Sequence, residues 1–411
     1  MSRNTDEQAR TFYSNRRSSD FSGQQYRRQT DLNERHTSRY SIQHSMRTTN
    51  SPVDPGTISF NESNPNTTLK KEQKRRPWFI WTISVLQLCA FVAEIIYNGV
   101  LTSKPIETDL SRNPLFGPTA FILINMGACF SPCMHSIDGI TNNISSTNFP
   151  CPNTTSSTSN GCTLSDLCGF NGVSDSPNQW FRFILPLFLH AGIVHILLNL
   201  IAQILIGGKI ERTIGVVRTV IIYFTSGIFG FIFGGNFSAE GLTRVGCSGA
   251  VFSLIALSLL DILYHWKSIK YPKLQLICHL FDIIVNLVLG LLPGIDNFSH
   301  LGGFAFGLLL GLTLLGSPMN LRRRETKRTA NQTNSNRKNL GCCRKFVHNR
   351  PKHWWTWWLV RFIALTVTVT AFVLLTENFY SRRMKCSWCK YINCLPVNQW
   401  CDIGVLPGRN L

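Results

Sequence analysis

The chain has 411 residues, of which 44% are hydrophobic and only 15% charged, with a formal net charge of +19. The apolar residues gather in runs of about 18 to 25, the length that crosses a bilayer as a helix, so a soluble globular protein is excluded and a polytopic membrane protein is indicated. The positive charge alone would suit nucleic-acid binding. Lys and Arg flank the apolar runs instead, so we expect membrane lipid as a partner, with no nucleic acid and no nucleotide.

Seven apolar runs follow one another, and each is long enough for one transmembrane helix. They are Trp78–Val100, Phe183–Gly207, Val216–Gly234, Ser248–Tyr264, Leu274–Leu292, Phe298–Gly316 and Trp354–Leu375. The fold class is therefore an all-α polytopic membrane protein. We divide the chain into a disordered basic cytoplasmic tail (1–77), a first transmembrane helix (78–100), a large outer loop (101–182), core helices two to six (183–316), a basic cytoplasmic loop (317–353), a seventh transmembrane helix (354–376) and a Cys-rich outer tail (377–411).

Basic residues collect on alternate connections, which predicts the orientation in the membrane. Lys and Arg cluster before the first run and after the second, fourth and sixth runs. If every run spans, all four clusters lie on one side, so the positive-inside pattern places the N-terminus in the cytoplasm. The C-terminus is then lumenal or extracellular, and we expect a secretory-pathway membrane (endoplasmic reticulum, Golgi or plasma membrane).

Cysteines and glycosylation sequons gather on the predicted outer side. Five cysteines lie in the large loop and four in the tail, where Cys386 and Cys389 form a Cys-x-x-Cys pair. Zinc binding and redox exchange are alternatives for the tail, but we favour two structural disulfides there. Five cysteines in the loop leave one without a partner inside it. Sequons at Asn143, Asn153 and Asn236 leave the outer segments open to glycosylation.

The second, fourth and sixth runs each bring polar residues to the outer end of a helix. Such residues are costly in hydrocarbon and indicate function. Ser248 opens the fourth run between Gly246 and Gly249, and at a helix start its backbone N–H has no intrahelical partner and can bind a developing oxyanion. A helix cap with glycines for close packing is the simpler alternative. Cys247 could be the nucleophile instead, but its side chain points about 100° away from that of Ser248.

His300 stands near the start of the sixth run, above Gly303, Gly307 and Gly311. Small residues on one helix face let a neighbouring helix approach closely, which would bring the imidazole to the hydroxyl of Ser248. A base within hydrogen-bond reach activates a serine nucleophile. A structural hydrogen bond is the alternative reading of a single intramembrane histidine.

The second run contributes His195 and Asn199, which share a helical face and can donate hydrogen bonds to charge developing on a carbonyl oxygen. His190 is assigned a structural role. A metal site is the alternative, but no cysteine or carboxylate converges at this depth, so neither metal nor cofactor is expected. Asp282 lies about 16 Å deeper than His300 at about 1.5 Å per residue, so a Ser-His dyad is predicted rather than a triad.

These three motifs resemble the rhomboid family of intramembrane serine proteases. The resemblance rests on His190-x4-His195-x3-Asn199, Gly246-Cys247-Ser248-Gly249-x2-Phe252 and His300-x2-Gly303-x3-Gly307, in that order along the chain. It implies a six-helix core plus one C-terminal helix, as in secretory-pathway members. It also implies Ser248 as nucleophile, His300 as general base, and His195, Asn199 and the Ser248 amide as oxyanion donors, with Gly246, Gly249, Gly303 and Gly307 as structural support.

The resulting hypothesis is a serine endopeptidase that cleaves single-pass transmembrane proteins near their outer face through an acyl-enzyme. One alternative is a catalytically silent rhomboid-like module that binds transmembrane clients for trafficking or quality control. A transporter is a further alternative, but it would favour internal repeats, which the sequence lacks.

Overall fold

The computed structural model describes residues 75–108, 113–141, 149, 161–170, 177–292, 294–315, 352–384, 386, 388–394, 401 and 403–406. This part of the chain is helical and contains isolated bridges but no β-strand. The all-α fold class is confirmed. The predicted basic tail and basic loop, and the sequons at Asn143 and Asn153, lie almost entirely outside the described residues.

Seven apolar helices correspond to the seven predicted runs. We label them α1 (Trp78–Thr102), α2 (Ile193–Ile214, with a π-helical turn at Gln203–Gly207), α3 (Val216–Phe237), α4 (Ser248–Tyr264), α5 (Pro272–Leu289), α6 (Asn297–Leu314) and α7 (Lys352–Glu377, extended by a π-helical turn at Asn378–Arg382). Six of them are long and apolar enough to cross a membrane, whereas α4 has 17 residues. A short helix, α8 (Lys390–Asn393), follows in the tail.

Two predicted boundaries were wrong. α2 begins at Ile193 rather than Phe183, because the preceding stretch forms short 3₁₀ turns, one of them containing Pro186, which cannot donate a backbone hydrogen bond. α3 continues to Phe237, three residues beyond the predicted end at Gly234. A side chain at Gly234 would collide with the Asp296 carboxylate, so this glycine permits a close approach within a helix.

Asn236 was predicted to lie in an outer loop, and it lies in the last turns of α3 instead. Its side-chain amide donates to the carbonyl oxygens of Ile232 at 2.7 Å and Leu375 at 3.0 Å. Its oxygen accepts from Asn378 at 2.6 Å. This side chain joins α3 to α7.

The centre of the fold is α4, which packs between α3 and α6. Twelve of its 17 residues are buried, whereas Ile283 is the one buried residue of α5. A helix that is apolar all round and mostly covered by protein can be shorter than the bilayer, because its ends need not reach the headgroups. The short α4 therefore starts within the fold, where Ser248 stands.

Disulfides stabilise both the outer loop and the tail, and a buried arginine side chain binds several oxygens of the loop. Cys133 pairs with Cys168 in the loop. The side chain of Arg182 is 1% exposed and donates to four oxygens on the loop, those of Ile124, Ala128, Cys168 and Gln179. Burial lowers the pKa of Arg182 to about 10, which leaves it charged at neutral pH.

The tail contains the two disulfides that were predicted there, Cys386–Cys389 and Cys394–Cys401. Cys129 is the loop cysteine that carries a free thiol, which fits the odd count. The tail packs against the end of the molecule where α4 begins. Gly241, before α4, donates its backbone N–H to the carbonyl oxygen of Gly404 at 2.9 Å. The loop, the tail and the starts of α4 and α6 thus share one end of the molecule.

Candidate active site

Ser248 and His300 meet at the starts of α4 and α6. Ser248 is the first residue of α4, as the sequence predicts, and His300 is in the first turn of α6. The Oγ atom of Ser248 lies 2.8 Å from Nε2 of His300, a normal hydrogen-bond distance. The two residues are 52 positions apart, so packing of the two helices alone brings them together.

Glycines set the distance between α4 and α6. A side chain at Gly303 would collide with the backbone of Gly249, and one at Gly307 would lie 2.5 Å from Cα of Ser253. Real Cβ atoms do not approach so closely, so a glycine is needed at both positions for this crossing. The hydrogen bond between Ser248 and His300 depends on that close contact.

The imidazole of His300 is fixed by stacking as well as by Ser248. The ring of Phe252, one turn below Ser248 on α4, lies parallel to it, with centroids 4.6 Å apart and an angle of 15°. His300 is 7% exposed, and its second nitrogen, Nδ1, is buried with no hydrogen-bond partner among the described residues. Stacking restricts the ring while leaving Nε2 directed at Ser248.

His195 and Asn199 lie beside Gly246, two residues before Ser248. Gly246 has a φ of +110°, and a side chain there would lie 2.8 Å from Nε2 of His195 and 3.7 Å from Nδ2 of Asn199. Nδ1 of His195 accepts from the backbone N–H of Ala191 at 3.4 Å. A neutral imidazole that accepts at Nδ1 carries its proton on Nε2, so both side chains present a donor beside Gly246. Nδ2 of Asn199 is buried with no partner among the described residues.

His190 precedes α2 rather than lying on the helix that carries His195. It is fully buried, and its backbone N–H donates to the carboxylate of Glu94 at 3.1 Å. Its Nδ1 lies 3.3 Å from the carbonyl oxygen of Phe188, and its Nε2 lies 3.7 Å from Sγ of Cys247. The thiol of Cys247 therefore faces His190 rather than His300.

Asp282 is bonded within its own helix. The amide of Asn286 donates to the Asp282 backbone oxygen at 2.8 Å and to Oδ1 at 3.1 Å. His279, three residues before Asp282 on the same helix, has its Nε2 3.0 Å from the carbonyl oxygen of Ile255. Neither side chain is hydrogen-bonded to His300, whose Nδ1 has no partner among the described residues.

Two buried polar residues near the site were not singled out in the sequence. Glu94 of α1 is fully buried and holds the backbone of His190. Asn297 begins α6, three residues before His300 and on the same helical face. Both residues could have been noticed in the sequence. A carboxylate inside an apolar run is unusual in hydrocarbon, and so is an amide one turn from a predicted base.

The geometry is suited to acyl transfer. A serine hydroxyl contacts an imidazole nitrogen that can accept its proton, and the side chains of His195 and Asn199 lie beside Gly246, two residues before that serine. Over the ranges that the structure describes, no group of three or more His, Cys, Asp or Glu is arranged to hold a metal ion.

Comparisons with known proteins point to one family. Residues 177–317 match the model of the Rhomboid domain. The chain is 42% identical over 371 residues to Rhomboid-type serine protease 2 of Emericella nidulans, covering 82% of this chain and 74% of that protein. It is 34% identical to RHOMBOID-like protein 2 of Arabidopsis thaliana, covering 79% and 89%.

A third relative carries a different description. Inactive RHOMBOID-like protein 8 of Arabidopsis thaliana is 26% identical over 345 residues, covering 80% of this chain and 84% of that protein. The matched domain spans the helices that carry all three motifs, and the first relative is matched over most of both chains. This chain therefore belongs to the rhomboid family and is a multi-pass membrane protease of the rhomboid type.

Proposed function

We propose that this protein cleaves single-pass transmembrane proteins near the outer face of the membrane, with Ser248 as nucleophile and His300 as general base. The observation that carries the proposal is the 2.8 Å contact between Oγ of Ser248 and Nε2 of His300. A serine whose hydroxyl contacts a neutral imidazole can transfer its proton as it attacks a carbonyl carbon.

Each step uses a residue that the fold holds in place. Ser248 attacks the scissile carbonyl while Nε2 of His300 takes the hydroxyl proton. The oxyanion then accepts hydrogen bonds from Nε2–H of His195, from Nδ2–H of Asn199 and from the Ser248 amide at the start of α4. His300 returns the proton to the leaving amine. Water, activated by the same imidazole, releases the acyl group from Ser248.

The depth of the site determines which substrates can be cut. α4 has 17 residues. At about 1.5 Å per residue it is about 25 Å long, less than the roughly 30 Å of hydrocarbon, so Ser248 lies below the outer headgroups. A transmembrane helix hides its carbonyl groups in hydrogen bonds, so a substrate must unwind before attack. We expect cleavage near the outer end of the substrate helix, at small or helix-breaking residues.

The disulfides support the proposed orientation. The loop and the tail both carry disulfides, and both lie at the end of the molecule where α4 and α6 begin. Disulfides persist in oxidising compartments, so this end faces the lumen or the exterior and the N-terminus faces the cytoplasm. The proposal places the protein in a secretory-pathway membrane.

The test is cleavage of a single-pass substrate by the full chain in proteoliposomes. Ser248→Ala abolishes cleavage, whereas the neighbouring Cys247→Ala variant keeps it, because the thiol faces His190. Neither ATP nor zinc is required. Cleavage that survives in Ser248→Ala, or that depends on Cys247, contradicts the proposal.

A relative described as inactive favours one alternative, a module that binds transmembrane clients without cutting them. The contact between Ser248 and His300 argues against it. The same experiment separates the two, because a binding module would retain the substrate intact in the wild-type protein as well as in Ser248→Ala.

A further inference from the structure

If His300 is the general base, its second ring nitrogen needs a partner. A neutral imidazole that accepts the serine proton at Nε2 carries its own proton on Nδ1, and that N–H becomes more acidic when the ring is protonated. In serine proteases built on a triad, a third group holds this N–H and orients the ring. In His300 the Nδ1 atom is buried and has no partner among the described residues.

A hydrogen-bond acceptor lies one helical turn before His300. The Oδ1 atom of Asn297 is also buried and also has no partner among the described residues. The other end of this amide is occupied, because Nδ2 donates to the carbonyl oxygen of Ile392 at 2.9 Å. This donation fixes which end of the amide is the oxygen, so Oδ1 faces away from the tail.

The two unpaired atoms converge beside Gly290, at the end of α5. A methyl group added to Gly290 would lie 2.4 Å from Oδ1 of Asn297 and 3.0 Å from Nδ1 of His300. Because both atoms lie so close to one point, their separation is within the reach of a single bridging water molecule. Such a bridge is enthalpically close to a direct hydrogen bond.

Asn297 is itself held by the tail. Oδ1 of Asn393 accepts from the backbone N–H of Asn297 at 2.7 Å and from that of Phe298 at 3.4 Å. It therefore caps α6 from 96 residues away in sequence, together with the N-cap residue Asp296, whose Oδ1 accepts from Phe298 at 3.2 Å. Ile392 and Asn393 belong to α8, which lies between the disulfides Cys386–Cys389 and Cys394–Cys401. The tail thereby fixes both the backbone and the amide of Asn297.

We propose that Asn297 is a positioning residue for His300, and that the disulfide-bonded tail holds it in place by binding its amide and capping α6. The proposal rests on the proposed function, since it assigns Nδ1 of His300 a role only if Nε2 is the base. The site would then be a dyad whose base is oriented by a neutral amide. Residues of the tail, which lies outside the matched domain, would help to hold that amide in place.

The first test removes the acceptor and then restores it. In proteoliposomes Asn297→Ala lowers kcat by about 10- to 100-fold with little change in KM, a loss within the share that a general base contributes. It slows the reaction of Ser248 with a fluorophosphonate probe by a similar factor. Asn297→Asp, which supplies an oxygen at the same place, recovers part of both rates. An Asn297→Ala variant that labels and cleaves at the wild-type rate overturns the proposal.

The second test leaves Asn297 in place and removes its support. Asn393→Ala slows fluorophosphonate labelling, whereas Asn393→Asp, which can still cap α6, restores the rate. The control is Trp388→Ala, because Trp388 is 64% exposed in the same tail. If Asn297→Ala does not fold, the two Asn393 variants test the proposal by themselves. Equal labelling rates in Asn393→Ala and the wild type contradict the role of the tail.

Ser248→Ala is included in both tests. A Ser248→Ala variant that still cleaves shows that the proposed function has failed. A silent Ser248→Ala variant beside a fully active Asn297→Ala variant shows that only the assignment of Asn297 has failed.

Discussion

The crossing of α4 and α6 and the helix α5 differ sharply in packing, although both border the site. The crossing is close enough that Gly303 contacts the backbone of Gly249, and most of α4 is buried. Along α5 Ile283 is the one buried residue, and large side chains such as Phe281 and Ile277 are more than 60% exposed. Small residues at a helix crossing give rigid packing in a membrane, whereas a lipid-facing helix has few contacts to hold it.

The difference in packing separates a rigid part of the molecule from a part with few internal contacts. The residues proposed to carry out proton transfer belong to the tight crossing, where their distance is fixed. α5 has few contacts with the rest of the protein, because Ile283 is its one buried residue. Gly290 and Asn297 lie where the two regions meet.

Of the two regions, the tight crossing is expected to show the larger effect when it is forced open. Gly303→Val places side-chain atoms against Gly249 and forces α6 away from α4. Overpacking of this kind lowers the free energy of unfolding by about 1–3 kcal/mol. A displacement of the base by about 1 Å reduces kcat by roughly 100-fold. Thermal unfolding in detergent and cleavage kinetics measure the two effects.

The matched control for this change is Ala305→Val, because Ala305 lies on the exposed face of the same helix. Its free energy of unfolding should change by less than about 0.5 kcal/mol. Equal effects of the two variants would show that the crossing is not the rigid part of the molecule.

The smallest effect is expected in α5. Asp282→Asn replaces a carboxylate that accepts a hydrogen bond from Asn286 on the same helix. Activity should remain within about twofold of the wild type, because the change touches neither the crossing nor His300. Loss of activity comparable to that of Ser248→Ala, with normal folding, would show that a carboxylate of α5 takes part in catalysis.

The sequence predicts much of this molecule because its strongest signals are local. Seven apolar runs and the polar residues at their outer ends predict the helices and point to Ser248 and His300. Hydropathy does not locate the start of α2, since the 3₁₀ turns around Pro186 are as apolar as the helix that follows. It also misplaces the end of α3, where glycines serve close packing rather than a turn.

The contacts of Asn297 could not be predicted in the same way. They join α6 to a tail residue 96 positions later, and they depend on the fold of a short disulfide-bonded segment. No periodicity or motif encodes such a contact. Asn297 itself was visible as an amide one turn before the predicted base, but its partners follow only from tertiary packing.

The central claim is that His300 activates Ser248, and fluorophosphonate labelling followed by peptide mass spectrometry tests it most directly. The account predicts an adduct on Ser248 in the wild-type protein, no adduct at any serine of α4 in Ser248→Ala, and labelling slowed by about 10²–10⁴-fold in His300→Ala. An adduct on another residue, or labelling of Ser248 at an unchanged rate in a folded His300→Ala variant, would contradict the account.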